Sequence, residues 1–349
     1  MYSELWRNFE KIKDKKIIIV GVTGLVGQEM FKIFNDHSFP IENIEGCASS
    51  RSDGETISYG NGHIITVQDI GKVNFKKYDI ALFSAGSEVS KKYVPKVLES
   101  GCTVIDNTSY FRMNEEVPLV VPEINIDTVK DSKLIANPNC STIQMVLPLK
   151  PLHDLFGLKE LVISTYQAAG GAGRRGVHAL FEETRMTADD NTMYRDSNSP
   201  FKKQLAFNLI PQIGDFADLD YTQEEWKMIN ETKKILELPN IDVTATCVRV
   251  PVRNAHSISV FAKFENNVDI NKTKEVLDNF DGVVVKDNPA QYEYATPLDL
   301  TNKYHDEVLV SRIRKHPTID NGLSFWCVAN NLRKGAALNA IQIASLLKY

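Results

Sequence analysis

A chain of 349 residues, 43% hydrophobic and 24% charged with a formal net charge of −5 at pH 7, has the balance of a globular protein too long for one ordinary core. The acidic balance leaves no electrostatic footprint for DNA, RNA or an anionic membrane surface. Five scattered cysteines, at 47, 102, 140, 247 and 327, form no close pair, which argues against a disulfide framework and against a zinc site.

The opening stretch, MYSELWRNFEKIKDKK, is charged throughout, and nowhere do about 18 uncharged apolar residues run together, so neither export nor membrane insertion is expected and a reducing cytoplasm fits best. Next, IIIV (17–20), LVGQEMFKIF (25–34), IEGCAS (44–49), IALFSA (80–85), SEVSKKYVPKVLE (87–99) and TVID (103–106) alternate short β-branched runs with amphipathic ones. That rhythm predicts βαβ units in a Rossmann-type, doubly wound parallel sheet. From about residue 157 longer strand-like runs take over: LVISTYQ (161–167), IDVTATCVRVPV (241–252), HSISVFAKFE (256–265) and EVLVSRI (307–313). They predict a second, mixed α+β domain with fewer helices and a largely antiparallel sheet. Residues 188–222, rich in Asp, Asn, Ser and Pro, read as long loops. The closing LRKGAALNAIQIASLLKY (332–349) has helical apolar spacing and is expected to return to the first domain.

IIIVGVTGLVG places Gly21, Gly24 and Gly27 directly after a strand and before a helix. This G-x-x-G-x-x-G spacing is a variant of the dinucleotide fingerprint, in which glycine allows a tight turn, close approach to pyrophosphate and helix-to-strand packing. Where an NAD binder places a carboxylate for the ribose hydroxyl, the sequence reads ASSRSDG (48–54). Ser49, Arg51 and Ser52 supply donors and positive charge for a phosphate that a carboxylate would repel, so NADP is favoured over NAD. The same residues also suit a solvated turn.

NPNCSTIQM (137–145) holds Cys140 between a proline-fixed turn and a helix start. Unpaired N–H groups and the positive end of the macrodipole shift a thiol there toward thiolate. Taken alone, Cys140 also fits a small buried residue capping a helix. Joined to a nucleotide domain, a poised thiol suggests capture of an activated acyl group as a thioester, followed by hydride reduction to an aldehyde. Such chemistry needs a base, oxyanion donors and a grip on the leaving group. RVPVRNAH (249–256) offers Arg249 and His256, seven residues apart and so on opposite faces of a continuous strand, unless the break at 253–255 re-aims His256 toward the cleft of Arg249. In isolation His256 reads as structural.

Together these residues resemble the bacterial aspartate-β-semialdehyde dehydrogenases over nearly the whole chain, about fifteen N-terminal residues excepted. The similarity rests on nine blocks in order: GVTGLVG (21–27), ASSRSDG (48–54), DNTSYFRM (106–113), VPLVVPEIN (117–125), NPNCSTIQM (137–145), STYQAAGGAG (164–173), FNLIPQI (207–213), ATCVRVPVRNAHS (245–257) and NLRKGAALNAIQIA (331–344). The resemblance implies reductive dephosphorylation of L-aspartyl-4-phosphate to L-aspartate 4-semialdehyde with NADPH, in the biosynthesis of lysine, threonine, methionine and isoleucine. It implies Cys140 as nucleophile, His256 as general acid/base and Gln167 as the residue orienting the acyl group. Arg249 is implied to hold the substrate carboxylate, Glu224 its ammonium group, and Lys227, Arg112 and Asn139 the phosphate. Without the resemblance, Glu224 and Lys227 read as an ordinary solvated helix face. Thr23, Leu25, Val26, Gly170 and Gly171 join the glycines, Ser49, Arg51 and Ser52 as implied cofactor contacts, and no metal is required.

The implied division assigns residues 1–130 and 331–349 to NADP and residues 131–330 to catalysis and dimerisation. A cytoplasmic homodimer or homotetramer is expected, with aspartyl phosphate, aspartate semialdehyde and phosphate as its small-molecule partners. One position departs from the family pattern: Gly170 stands where serine is usual, which puts cofactor affinity in question, and Arg174 and Arg175 follow it. The alternatives are another acyl-phosphate reductase, such as N-acetyl-γ-glutamyl-phosphate reductase, and a non-catalytic nucleotide-binding relative. The first would leave Glu224 without an ammonium partner, and the second would be expected to lose the thiol or the imidazole.

Overall fold

The computed structural model describes residues 8–60, 62–188, 193–301 and 304–348. The chain divides into two compact units, Met1–Asn139 with Ala336–Tyr349, and Cys140–Gly335. No helix among the described residues is long and apolar enough to cross a membrane.

In the first unit β1 (Ile17–Val20) is four consecutive β-branched residues, all buried, as a parallel strand covered on both faces requires. Beside it lie β2 (Ile44–Ala48), β5 (Gln68–Asp69), β6 (Ile80–Phe83), β7 (Thr103–Asp106) and β8 (Leu134–Ala136). The order is β5-β2-β1-β6-β7-β8 and every pair is parallel. This is the doubly wound arrangement with its topological switch between β1 and β6. A hairpin of β3 (Thr56–Gly60) and β4 (His63–Thr66) forms a separate two-stranded sheet.

Alternation along β1 sorts its side chains between two cores. Ile17 and Ile19 pack with Met30, Phe31 and Phe34 of α1 (Leu25–Asp36) and with Leu338 and Ile341, while Ile18 and Val20 pack with Val94 and Val97 of α2 (Ser87–Glu99). Phe34 is fully buried, so truncating it to alanine would cost about 3–5 kcal/mol. Leu338 and Ile341 belong to the final helix, α7 (Leu338–Leu346), which is buried nearly all round. Its Asn339 donates to the Val120 carbonyl at 3.0 Å and to Asn137 Oδ1 at 2.7 Å. Ahead of β1, Phe9 and Ile12 enter the same core, although they precede the region of family resemblance; residues 1–7 lie outside the described residues.

The second unit holds β9 (Leu158–Gln167), β10 (Asp242–Arg249), β11 (His256–Phe264), β12 (Val283–Val285), β13 (Val308–Lys315) and β14 (Gly322–Ala329), in the order β10-β9-β11-β14-β13-β12. β9–β10 and β12–β13 are parallel and the other pairs antiparallel, a mixed sheet. Helix α3 (Cys140–Phe156) is buried over most of its length, with Lys150 and Asp154 paired on its more exposed side, and packs against this sheet and against α5 (Gln223–Ile235) and α6 (Ile270–Asp278).

The expectation of fewer helices in this unit is corrected: α4 (Gly173–Thr187) joins the other three. Its buried side includes Glu183, whose Oε2 accepts from the Leu205 and Ala206 N–H groups at 2.6 and 3.2 Å, so a carboxylate interrupts the apolar stripe. Residues 193–222 run as loops and short turns, as their composition suggests, and 189–192 lie outside the described residues.

Candidate active site

The carboxyl ends of β1, β2 and β6 surround a cavity of about 780 Å³ lined by Gly21, Thr23, Gly24, Ser49, Arg51 and Lys92, among others. Gly21 has φ +91°, and a Cβ there would lie 2.5 Å from the Ser84 carbonyl oxygen. A Cβ on Gly27 would lie 2.6 Å from the Gly21 carbonyl oxygen, so this glycine serves helix-to-strand packing and not the cavity wall. Leu25 and Val26 begin α1, where first-turn N–H groups favour phosphate. The size, the switch-point location and the side-chain-free glycine floor fit a dinucleotide. Ser52 is not among the lining residues, whereas its neighbour Ser50 in the same block is, and Asp69, Lys92 and Tyr93 line the cavity from the end of β5 and from helix α2, which no sequence motif marked.

In the second unit, three strand ends meet. Arg249, last in β10, pairs in register with Gln167, last in β9, and His256 begins β11 on the other side of β9. The chain leaves the sheet between Arg249 and His256, so these residues flank one strand and do not sit on opposite faces of a continuous one. The Ala168 peptide joins them: its N–H donates to His256 Nδ1 at 3.0 Å and its carbonyl accepts from Arg249 Nη1 at 2.7 Å. Gly171 lies over both, since a Cβ there would be 2.8 Å from Arg249 Nη1 and 3.1 Å from His256 Nε2. At Gly170 a Cβ would lie 2.4 Å from Asn254 Oδ1 and 2.9 Å from the Arg253 carbonyl oxygen, so a serine would require that neighbouring turn to move.

A carboxylate network backs the imidazole. Thr222 caps α5 in a capping box with Glu225, which turns Glu224 and Lys227 onto one face. Glu224 is only 6% exposed, and so is not on a solvated helix face. Its Oε1 accepts from Gln167 Nε2 at 3.0 Å and its Oε2 from Lys227 Nζ at 3.0 Å. Burial, with Arg249 adding to it and Glu224 opposing, pushes the His256 pKa down from 6.5 to about 3. Because a backbone N–H occupies Nδ1, the neutral ring must carry its proton on Nε2. That Nε2 has no hydrogen-bond partner among the described residues. Burial also lowers the Arg249 pKa, against Glu224 and Cys140, which raise it. Arg249 packs over the Phe201 ring at 5.7 Å and lines a cavity of about 170 Å³ with Lys202, Gln212 and Asp215.

Cys140 is the first residue of α3 and the one cysteine of five that is not buried. Burial pushes the Cys47 and Cys102 thiols up to about 12 and raises those of Cys247 and Cys327 as well, leaving them inert. One turn along α3, Gln144 Nε2 donates to the His256 carbonyl at 3.2 Å, which ties the start of this helix to the start of β11. The second unit thus brings Cys140, Gln167, Glu224, Lys227, Arg249 and His256 into one neighbourhood. Arg112 and Asn139 belong to the first unit and are both buried; Arg112 Nη2 donates to the Asn107 carbonyl at 2.7 Å. No role was expected from sequence for the Ala168 peptide, Phe201, Lys202, Gln212 or Asp215, although Ala168 and Gln212 lie within two of the nine blocks. Among the described residues no group of three or more His, Cys, Asp or Glu side chains is arranged to hold a metal.

Comparison with known proteins agrees with both halves. The family described as semialdehyde dehydrogenase, NAD binding domain, matches residues 16–132, and that described as semialdehyde dehydrogenase, dimerisation domain, matches residues 149–334. The aspartate-semialdehyde dehydrogenase of Aquifex aeolicus is 46% identical over 95% of this chain and 97% of its own, and that of Campylobacter jejuni is 47% identical with the same coverage. Aspartate semialdehyde dehydrogenase II of Vibrio cholerae, solved complexed with ASA, superposes with a TM-score of 0.89 at 40% identity, covering 95% of this chain and 98% of that one. On its sequence, its two domains and its fold, the chain belongs to the aspartate-semialdehyde dehydrogenase family.

Proposed function

We propose that the chain catalyses reductive dephosphorylation of L-aspartyl-4-phosphate to L-aspartate 4-semialdehyde, with NADP in the first unit and acyl chemistry on Cys140 in the second. The observation that carries this reading is the junction at the end of β9, where the Ala168 peptide fixes both the His256 ring and the Arg249 guanidinium.

Arg249, with Nη1 committed to Ala168, presents the rest of its fork to the neighbouring cavity, where a substrate carboxylate pairs with it. Glu224 takes the ammonium group, Lys227 the phosphate, and Gln167, held by Glu224, orients the acyl carbonyl. The assignment of Arg112 and Asn139 to the phosphate, and of Gly170 and Gly171 to the cofactor, rests on the resemblance. The Cys140 thiolate attacks the acyl carbon; the carbon–sulfur bond forms and phosphate departs with its electron pair, leaving a thioester. His256 donates from Nε2 to the oxygen that gains charge. Taking the thiol proton would make the ring an imidazolium, which burial and Arg249 both oppose, so ionisation of Cys140 falls to the helix start. When bound, NADPH supplies the hydride that reduces the thioester carbonyl. The resulting thiohemiacetal anion, held by the same Nε2–H, re-forms its carbonyl and expels the Cys140 thiolate, giving the semialdehyde.

Ser49 and Arg51 in the larger cavity support NADP over NAD. Glu224 argues against an N-acetylated substrate, which has no ammonium group to meet it. The dimerisation domain supports self-association, as a homodimer or a dimer of dimers, and the reducing cytoplasm is the proposed compartment. The test is NADP reduction by the purified protein with aspartate semialdehyde, with and without phosphate, beside N-acetylglutamate semialdehyde and beside NAD. Phosphate-dependent reduction of NADP with aspartate semialdehyde is expected. Preference for the N-acetylated aldehyde, or silence with both despite NADP binding, would refute the reading.

A further inference from the structure

The block NLRKGAALNAIQIA carries no role in the chemistry above, yet its first residues lie against Cys140 and against the residue that precedes His256. After β14 the chain makes a π-helical turn, Arg333–Ala337. Such turns are rare and concentrate at functional sites. The Gly335 N–H reaches back five residues to the Asn330 carbonyl at 3.1 Å, and Asn330 Oδ1 accepts from the Leu332 N–H at 3.0 Å. This winding sets the Gly335 backbone against the nucleophile: a Cβ on Gly335 would stand 2.9 Å from Cys140 Cβ and 3.3 Å from Cys140 Cα. In the same segment Asn331, 3% exposed, accepts at Oδ1 from the Ala255 N–H at 2.9 Å. Ala255 is buried in the left-handed region at φ +76°, which a residue with a Cβ rarely adopts, and it directly precedes His256.

We infer that the turn Asn330–Gly335 is a positioning element of the active site: Gly335 sets the location of Cys140, and Asn331, by holding Ala255 in its left-handed conformation, aims His256. The inference rests on the catalytic reading of those two residues. Nothing in it requires either positioning residue to touch substrate.

The reaction is sensitive to such placement, because displacing a reacting atom by about an ångström costs on the order of a hundredfold in rate. Gly335→Ala in the full-length protein is therefore expected to lower kcat and the second-order rate of Cys140 alkylation by iodoacetamide on the order of tenfold to a hundredfold. KM for the aldehyde and the dissociation constant for NADP are expected to stay within about twofold of the parent. Asn331→Asp keeps an acceptor for the Ala255 N–H and is expected to retain most of the activity; Asn331→Leu removes it and is expected to lose on the order of tenfold in kcat.

Wild-type kcat and alkylation in Gly335→Ala would overturn the inference. So would equal losses in the two Asn331 variants, or losses confined to NADP affinity. If Gly335→Ala fails to fold, the Asn331 pair decides alone. A dead Cys140→Ala beside an unaffected Gly335→Ala would condemn the positioning role only; turnover surviving in Cys140→Ala would condemn the catalytic reading beneath it.

Discussion

The two cavities are built in different ways. The larger one in the first unit is floored by backbone and small residues: Gly21, Thr23, Gly24, Ser49 and Ser84 line it, and a few longer side chains such as the exposed Arg51 stand at its edge. The candidate catalytic neighbourhood in the second unit is built from buried charge, with Glu224, Arg249 and His256 each 6% exposed or less. A backbone site tolerates loss of any one side chain, because its donors are N–H groups that every residue carries. A buried charged cluster does not, because removing one member leaves the others desolvated and unmatched.

That contrast orders the expected effects. Cys140→Ala should lower turnover by at least about a thousandfold while NADP affinity changes less than about twofold, since the thiol has no substitute; steady-state rates and a nucleotide titration read the two separately. Glu224→Ala should reduce unfolding free energy by about 3 kcal/mol, because Gln167 and Lys227 lose a shared buried acceptor. Urea denaturation would show it, and an unchanged midpoint would mean the cluster is less interdependent than its hydrogen bonds indicate.

The imidazole gives a pH signature. With its pKa pushed from 6.5 down to about 3, folded His256 stays neutral where the unfolded chain takes up a proton, so its stability contribution is whole above pH 6.5 and is lost as pH falls toward 3. Between pH 8 and pH 5 that loss is about 2 kcal/mol, and His256→Gln should flatten the profile by that amount in thermal unfolding. The smallest effect belongs to the first unit: Arg51→Ala should weaken NADP about tenfold, roughly 1.4 kcal/mol, and leave NAD unchanged. Equal weakening of both nucleotides would move Arg51 from phosphate selection to general cavity shape.

Legibility in the sequence follows the same division. β1, α1 and the glycine turn between them are local: an apolar run, a helical spacing and three glycines within eleven residues settle strand, turn and helix together. The candidate catalytic cluster is assembled from strand ends and helix starts far apart in the chain. Arg249 and His256 looked opposed along one strand, and only the insertion of β9 between β10 and β11 brings them to one place. Glu224 looked solvated from its helical spacing alone, but all three glutamates of α5, Glu224, Glu225 and Glu231, are buried, which inverts the usual polar-outside pattern. β14 alternates Leu323, Phe325 and Cys327 inward with Ser324 and Trp326 less buried, an ordinary strand pattern with no counterpart among the expected strands. The proton on His256 Nε2 was out of reach altogether, because it depends on where one backbone N–H points.

The most direct test of the central claim, acyl transfer through Cys140, is a single-turnover experiment with aspartate semialdehyde and NADP in the absence of phosphate, followed by mass spectrometry of the peptide containing Cys140. The account predicts one NADPH formed per active site and an aspartyl thioester on that cysteine, released when phosphate is added. NADPH formation with no adduct, or an adduct on another residue, would contradict it.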